Sequence, residues 1–199
     1  MTEIKYQKHY YPGSRNELIQ KLKDSLHNEH RFQHCLGVEQ TAIKLAKLNH
    51  ADIEAAAVAG LIHDYAKERS DQEFKQIIIA DHLDPTLLQW GNCIWHGEVG
   101  AEIIKNELGI TNKEILNAVR RHTTGDVQMT LLDKIVYVAD YIEPHRDFPG
   151  VDFARNIAWQ DLDDAVKFET KHTLSYLLSN NNKIYPKTIL TYNKWVSTN

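Results

Sequence analysis

An all-α fold follows from three features of this 199-residue sequence: helix-capping signals recur from end to end, apolar residues return at helical spacing, and strand-like alternation never lasts beyond a few residues. Pro12-Gly13 precedes Ser14, and Glu17 three residues on completes a capping box, in which hydroxyl and carboxylate each take a backbone N–H left open at the helix start. Leu18, Leu22 and Leu26 form the apolar face of that first helix. Asn28 caps a second, running to about Leu48, with Phe32, Cys35, Leu36, Ala42, Ile43 and Ala46 on one side and Val38 and Leu45 widening the buried stripe. Asp52 caps a third, rich in alanine.

After Lys67 the pattern shortens to a turn at Ser70-Asp71, a segment through residues 77–79, and another opened by Asp84 with Pro85 in its first turn. From His96 the spacing of Val99, Ile103 and Glu107 predicts a helix that Gly109 stops. Thr111 and Glu114 read as a second capping box, opening a helix with Ile115, Ala118, Val119 and His122. Thr130 heads the next, through Leu132, Val136, Ala139 and Glu143, until Pro144 ends it. Helices near residues 161–178 and 188–196 close the chain. Residues 1–13 read as an N-terminal extension and 14–199 as a single domain.

Composition narrows the function. Lys plus Arg number 23 against 27 Asp plus Glu, a formal charge of −4, so no basic excess favours nucleic acid as partner. The longest apolar run, residues 55–62, falls far short of the ~20 residues that span a bilayer. The first 11 residues carry Glu3, Lys5, Lys8 and His9 and lack the apolar stretch of a secretory signal. Cys35 and Cys93 form no Cys-x-x-Cys pair, so neither a disulfide framework nor a thiolate metal knuckle is expected, and the expected location is cytoplasmic. A homodimer is left open. What stands out is the 11 histidines.

Chance alone supplies about one His-Asp dipeptide in a chain with 11 histidines and 14 aspartates, so His63-Asp64 means little by itself. Its context is better. His63 continues the inward face of Ala56 and Ala59, with Asp64 about 100° further round, and a buried carboxylate needs a cation or hydrogen bonds to stay ionised. His34, His96, His122 and Asp140 also project from apolar faces of predicted helices, beside Val38, Val99, Val119 and Val136. Each alone reads as an ordinary core residue. Four histidines and two aspartates in one small helical core, however, leave many polar atoms to satisfy unless something is bound between them. Imidazoles and carboxylates without thiolate suit two first-row ions such as iron, manganese or zinc, with Asp64 as the natural bridge. Two divalent ions and two aspartates leave about +2 at the centre of an acidic protein, enough to attract a polyphosphate.

The order His34, His63-Asp64, His96, His122, Asp140 resembles the extended metal signature of HD-domain phosphohydrolases, helical bundles that hold a dinuclear metal centre in their core. Longer strings narrow the likeness: His30-Arg-Phe-Gln-His-Cys-Leu-Gly-Val38, His63-Asp-Tyr-Ala-Lys67, Trp95-His-Gly-Glu-Val-Gly-Ala101, Arg121-His-Thr-Thr-Gly125, and Ala139-Asp-Tyr-Ile-Glu-Pro144 followed by Arg146. These are similar to the YqeK family of symmetrical bis(5′-nucleosyl)-tetraphosphatases over about residues 14–196. The resemblance implies hydrolysis of diadenosine tetraphosphate at its central phosphoanhydride to two ADP, by a water or hydroxide bridging two ions, with iron as the native metal. It places His34, His63, Asp64 and Asp140 around one ion and Asp64, His96 and His122 around the other. Asp64, Lys67 and Asp140 are then the catalytic set. For substrate contact it points to His34, Gly37, Lys67, Thr123, Gly125, Asp140, Arg146 and the loop carrying Lys183, Ile184, Tyr185 and Pro186.

The residues themselves allow plainer readings for part of this set. Lys67 could be a solvated helix-end lysine, Arg146 surface decoration, and Gly37 an aid to helix packing instead of room for a nucleotide. His30 and His34 have the i, i+4 spacing of a helical metal pair, so spacing alone permits His30 in place of His63; the family pattern selects His34. His9, His27, His50, His82, His145 and His172 read as surface or capping residues. No nucleophile elbow, Walker loop or dinucleotide fingerprint occurs. Two other functions fit the same core: an HD phosphohydrolase acting on another nucleotide, which product analysis would separate, and a non-catalytic nucleotide-binding module, which would release no product with or without chelator.

Overall fold

The computed structural model describes residues 4–198 and contains, among them, helices and one 3-10 turn but no strand. The helices are α1 (Arg15–Ser25), α2 (Glu29–Leu48), α3 (Ile53–Ile62), α4 (Asp71–Ala80), α5 (Asn92–Glu98), α6 (Gly100–Leu108), α7 (Lys113–Arg121), α8 (Leu131–Ile142), α9 (Val151–Ala158), α10 (Leu162–Ser179) and α11 (Pro186–Trp195), with the 3-10 turn at Pro85–Gln89. No helix among the described residues is long and apolar enough to cross a membrane.

The centre of the bundle is α3, buried at every position from Glu54 to Ile62 and packed by α2, α7 and α8. Its alanines favour helix while keeping the cylinder thin, so neighbouring backbones come close. At Gly60 a Cβ would lie 3.2 Å from the Glu39 Cα of α2. Two buried acids tie down the amino-terminal part of the chain. Glu54 accepts the backbone N–H groups of Gln7 and Lys8 at 2.6 and 2.9 Å, and Glu39 accepts a two-pronged guanidinium from Arg15 at 2.7 and 2.6 Å.

Capping signals set most helix starts where the side chains announce them. The Ser14–Glu17 box forms, Asn28 and Asp52 cap α2 and α3, and Thr130 caps α8 in a reciprocal box with Asp133. Four expectations need correction. The cap of α7 is Asn112, not Thr111: its amide oxygen accepts from Glu114 and Ile115 N–H, which puts Glu114 one residue too early for a reciprocal bond. The helix expected to begin at His96 already runs from Asn92 and breaks at Val99, with α6 continuing to the left-handed Gly109. The segment opened by Asp84 is only a 3-10 turn. Helix α9 was not anticipated. Both α5 and α9 start after a glycine, Gly91 or Gly150, that has no side chain to signal a cap.

Candidate metal centre

Five helices and the turns at their ends deliver the polar cluster. Helix α3 stops at Ile62, so His63 and Asp64 fall in the turn after it; His122 is the C-cap of α7; His96 lies inside α5; His34 sits in the second turn of α2, and Asp140 near the end of α8. All but Asp140 are buried, and Asp140 is partly so.

The two oxygens of Asp64 divide the cluster. Oδ1 faces His96 Nε2 at 3.4 Å and His122 Nε2 at 3.7 Å, while Oδ2 faces His63 Nε2 at 3.7 Å and His34 Nε2 at 4.0 Å. Asp140 Oδ1 completes the second group, 3.0 Å from His34 Nε2 and 3.8 Å from His63 Nε2. Ligand atoms about 3 Å apart are what an octahedral ion with bonds of about 2.1 Å requires along its edges. Three sets bring their ligand atoms within 4.8 Å of one another, near enough to share an ion: His34, His63 and Asp64; His63, His122 and Asp140; Asp64, His96 and His122.

Proton accounting makes the case stronger. Each imidazole commits Nδ1–H elsewhere: His63 donates to Gly60 O at 2.8 Å, His96 to Asn92 O at 2.6 Å, His122 to Val119 O at 2.7 Å and His34 to Glu143 Oε1 at 3.1 Å. In the neutral ring every Nε2 is then a bare acceptor. Yet the His34 and His63 Nε2 atoms meet at 3.2 Å and those of His96 and His122 at 3.0 Å. Lone pairs aimed at lone pairs need cations between them. Protons fill that role poorly: burial holds His63 down to about 4, holds His122 below its ordinary pKa, and with the Lys67 ammonium drives His96 well below it. His34 behaves oppositely, because the Asp140 and Glu143 carboxylates outweigh burial and push it up to about 9. Asp64 is held well below the carboxylate range, burial notwithstanding, by the histidines and Lys67 around it, and Asp140 by Arg146 and His34. Asp64 Oδ1 has no hydrogen-bond partner among the described residues. Ionised carboxylates, the neutral imidazoles of His63, His96 and His122 and an orphaned buried oxygen fit divalent metal binding, with an ion taking the place of the His34 proton.

Cationic side chains surround the mouth. Lys67 Nζ lies 2.9 Å from His96 Nε2 and 3.8 Å from Asp64 Oδ1. Arg146 binds Asp140 through both its backbone carbonyl, at 2.8 Å, and its carboxylate. Thr123 Oγ1 sits 3.0 Å from both His96 and His122 Nε2. Gly125 adopts left-handed backbone, φ +63°, against Thr191. The other sequence-selected residues lie further out. Lys183 donates to Gln89 O and rests 4.0 Å above the Trp90 ring, Tyr185 meets Trp90 edge-on, Ile184 is half-buried and Pro186 opens α11. Trp90, Tyr185, Asp126 and Lys187 help line a cleft of about 450 Å³. Lys187, at its edge, reaches both Glu98 and Asp126. Gly37 is placed differently: a Cβ there would meet the Glu143 carboxylate, not open space.

Three neighbours of the centre were not singled out from sequence. Arg31 donates to Asp64 Oδ2 at 2.6 Å; lying one turn before His34, it shares that face and was findable. Glu143, one turn after Asp140, binds His34 and was findable in the same way. Arg155 of α9 donates to the carbonyls of Ile142, Glu143 and Arg146, fixing the loop that carries Arg146, and no sequence signal marks it.

The chain is similar to known proteins in both sequence and fold. Residues 31–145 match the family model of the HD domain. The symmetrical bis(5′-nucleosyl)-tetraphosphatase of Bacillus subtilis is 45% identical over 184 residues, covering 92% of this chain and 98% of that protein. Its counterpart in Halalkalibacterium halodurans is 42% identical, covering 91% and 96%. The crystal structure of an HD superfamily hydrolase from Clostridium acetobutylicum, described as involved in NAD metabolism, superposes with a TM-score of 0.86 at 34% identity, covering 92% of this chain and 97% of that one.

Proposed function

This chain belongs to the HD-domain family and, within it, to the symmetrical bis(5′-nucleosyl)-tetraphosphatases, and from that membership we propose that it hydrolyses diadenosine tetraphosphate at the central phosphoanhydride to two ADP. The observation that carries the chemistry is the convergence of four imidazole Nε2 atoms on the two oxygens of Asp64.

We assign His34, His63, Asp64 and Asp140 to one divalent ion and Asp64, His96 and His122 to a second; the nitrogen and oxygen donor set suits first-row ions, and of these the family resemblance favours iron. When bound, two such ions supply Lewis acidity, lowering the pKa of a water toward neutrality and offsetting charge on the phosphate oxygens. The chain's own groups do the rest. Asp64 and Asp140, already ionised, bring negative charge that fixes the ions without taking up protons. Lys67, drawn below its ordinary pKa by burial but kept near Asp64, offers an ammonium to a phosphate on the His96 side. Arg146 does the same on the Asp140 side, and Thr123 adds a hydroxyl beside His96 and His122. The Lys183–Pro186 loop and Gly125 border the space for one nucleoside, with Trp90 and Tyr185 as ring surfaces. Water adds to one of the two central phosphorus atoms, the bond from that phosphorus to the bridging oxygen breaks, and each half departs as ADP.

We read residues 14–199 as the catalytic domain, with the preceding segment strapped to Glu54 and Asp52. Free Cys35 and Cys93 suit work in the reducing cytoplasm. The test is to incubate metal-loaded protein with diadenosine tetraphosphate, with and without chelator, and separate the products. ADP alone, abolished by chelator, is expected; ATP with AMP, or no product, overturns the reading.

A further inference from the structure

The four histidines of the cluster are oriented by two different means. His63, His96 and His122 each place Nδ1–H on a carbonyl three or four residues back in their own chain. His34 alone uses a side chain from another helix, Glu143 at the C-cap of α8. Glu143 is 1% exposed, an expensive place for a carboxylate unless it has partners, and every partner it has is local to the site. Oε1 takes His34 Nδ1–H, and Oε2 takes the His145 backbone N–H at 2.8 Å, with the His145 ring Nδ1 at 3.0 Å. On the other side the carboxylate rests on Gly37, one turn after His34, where a Cβ would run into Oε2. No other residue admits the acid so close to the helix.

We propose that Glu143 is a positioning residue for metal binding: it fixes the Nδ1–H tautomer of His34 and aims Nε2 at the ion shared with His63, Asp64 and Asp140, and Gly37 exists to give Glu143 its seat. A carboxylate acceptor also raises the basicity of the imidazole, which a backbone carbonyl does less well, so the ion on this side is held with the help of a charge relayed across the His34 ring. The inference rests on the two-ion reading of the centre and predicts an asymmetry within it.

The experiment is a cobalt(II) titration of metal-free protein, followed by visible absorption and checked by metal analysis after gel filtration. Wild type should take up two ions per chain. Glu143→Ala should bind one with unchanged affinity and the other 10- to 100-fold more weakly, the usual scale for losing such a partner. Gly37→Ala should give the same split by displacing the carboxylate, while Glu143→Gln, whose amide oxygen still accepts from His34, should recover most of the loss. If Glu143→Ala fails to fold, as judged by circular dichroism, the contrast between Gly37→Ala and Glu143→Gln decides alone. Two equally tight ions in Glu143→Ala or in Gly37→Ala overturn the inference, as does equal weakening of both. A wild type that binds no cobalt, or only one ion, instead overturns the two-ion reading on which the inference rests.

Discussion

The His96–His122 half of the centre and the His34–Asp140 half are built by different kinds of structure. In the first, each ring is held by a carbonyl of its own segment, so forming α5 and α7 already orients both ligands. In the second, His34 comes from α2, His63 from the turn after α3 and Asp140 from α8, and His34 depends on Glu143 for its orientation. The flanking cations differ too: Lys67 beside His96, Arg31 and Arg146 beside Asp64 Oδ2 and Asp140. In one half every ring is oriented within its own segment, whereas in the other His34 gains its orientation only once the bundle has closed. Asp64 is the one side chain that belongs to both.

Removing that shared residue should therefore erase the difference between the halves. Asp64→Ala is expected to lose both ions and to reduce turnover to background, since it removes the carboxylate that both halves share and leaves Asp140 alone on one side and none on the other. Metal analysis together with product separation checks this; a variant that keeps one ion would mean that one half is self-sufficient. Lys67→Ala should act on one half only and leave metal content at the wild-type level. Loss of one charge-assisted hydrogen bond, worth about 1.5–3 kcal/mol, lowers kcat/KM by roughly 10- to 150-fold. Unchanged kinetics would return Lys67 to the solvated surface.

The closure-dependent half has a remote support whose loss should be smaller still. Arg155 holds the carbonyls of residues 142, 143 and 146 and so fixes the segment from Glu143 to Arg146. Arg155→Ala should raise KM several-fold through the freed Arg146 while leaving the cobalt affinity of the His96–His122 half untouched. It should also lower Tm by about 3–6 °C, the shift that ~1.5 kcal/mol produces in a chain of this size. Equal weakening of both ions would show that the two halves are not separable.

The same contrast explains what could be read before the fold was known. Ser14, Asn28, Asp52 and Thr130 announce their helices because a side-chain oxygen does the capping, and the six inward-facing polar residues stand out because each interrupts an apolar face. Gly91 and Gly150 start helices with backbone alone, so α5 was entered too late and α9 was missed. Gly37 was ambiguous between nucleotide approach and packing, since what occupies the space beside it, Glu143, lies 106 positions along the chain. Arg155 is invisible for the same reason: its partners are carbonyls brought to it by folding. Local chemistry is legible in a sequence, and contacts made by closure are not.

The smallest effect expected concerns an acid behind the Asp140 half that holds no ligand. Glu169 of α10, which packs on α8, is 5% exposed, and its Oε2 has no hydrogen-bond partner among the described residues. Burial, reinforced by the Asp140 charge, keeps its pKa well above the ordinary carboxylate value. The folded chain thus retains a proton that the unfolded chain releases near pH ~4.3. Below that pH the acid has no pH-dependent cost; as pH rises from there toward the folded pKa, stability is progressively lost. Glu169→Gln removes this slope without touching the centre. Its Tm should exceed wild type by a few degrees at pH 8, about 1–2 kcal/mol of relieved burial, and the advantage should shrink at pH 5. Paired melts at the two pH values measure it, and an advantage equal at both, or reversed at pH 8, would mean that Glu169 is ionised in the folded chain. Cobalt uptake by both halves should be unaltered, which would confine the effect to stability and leave the asymmetry of the metal centre to Glu143.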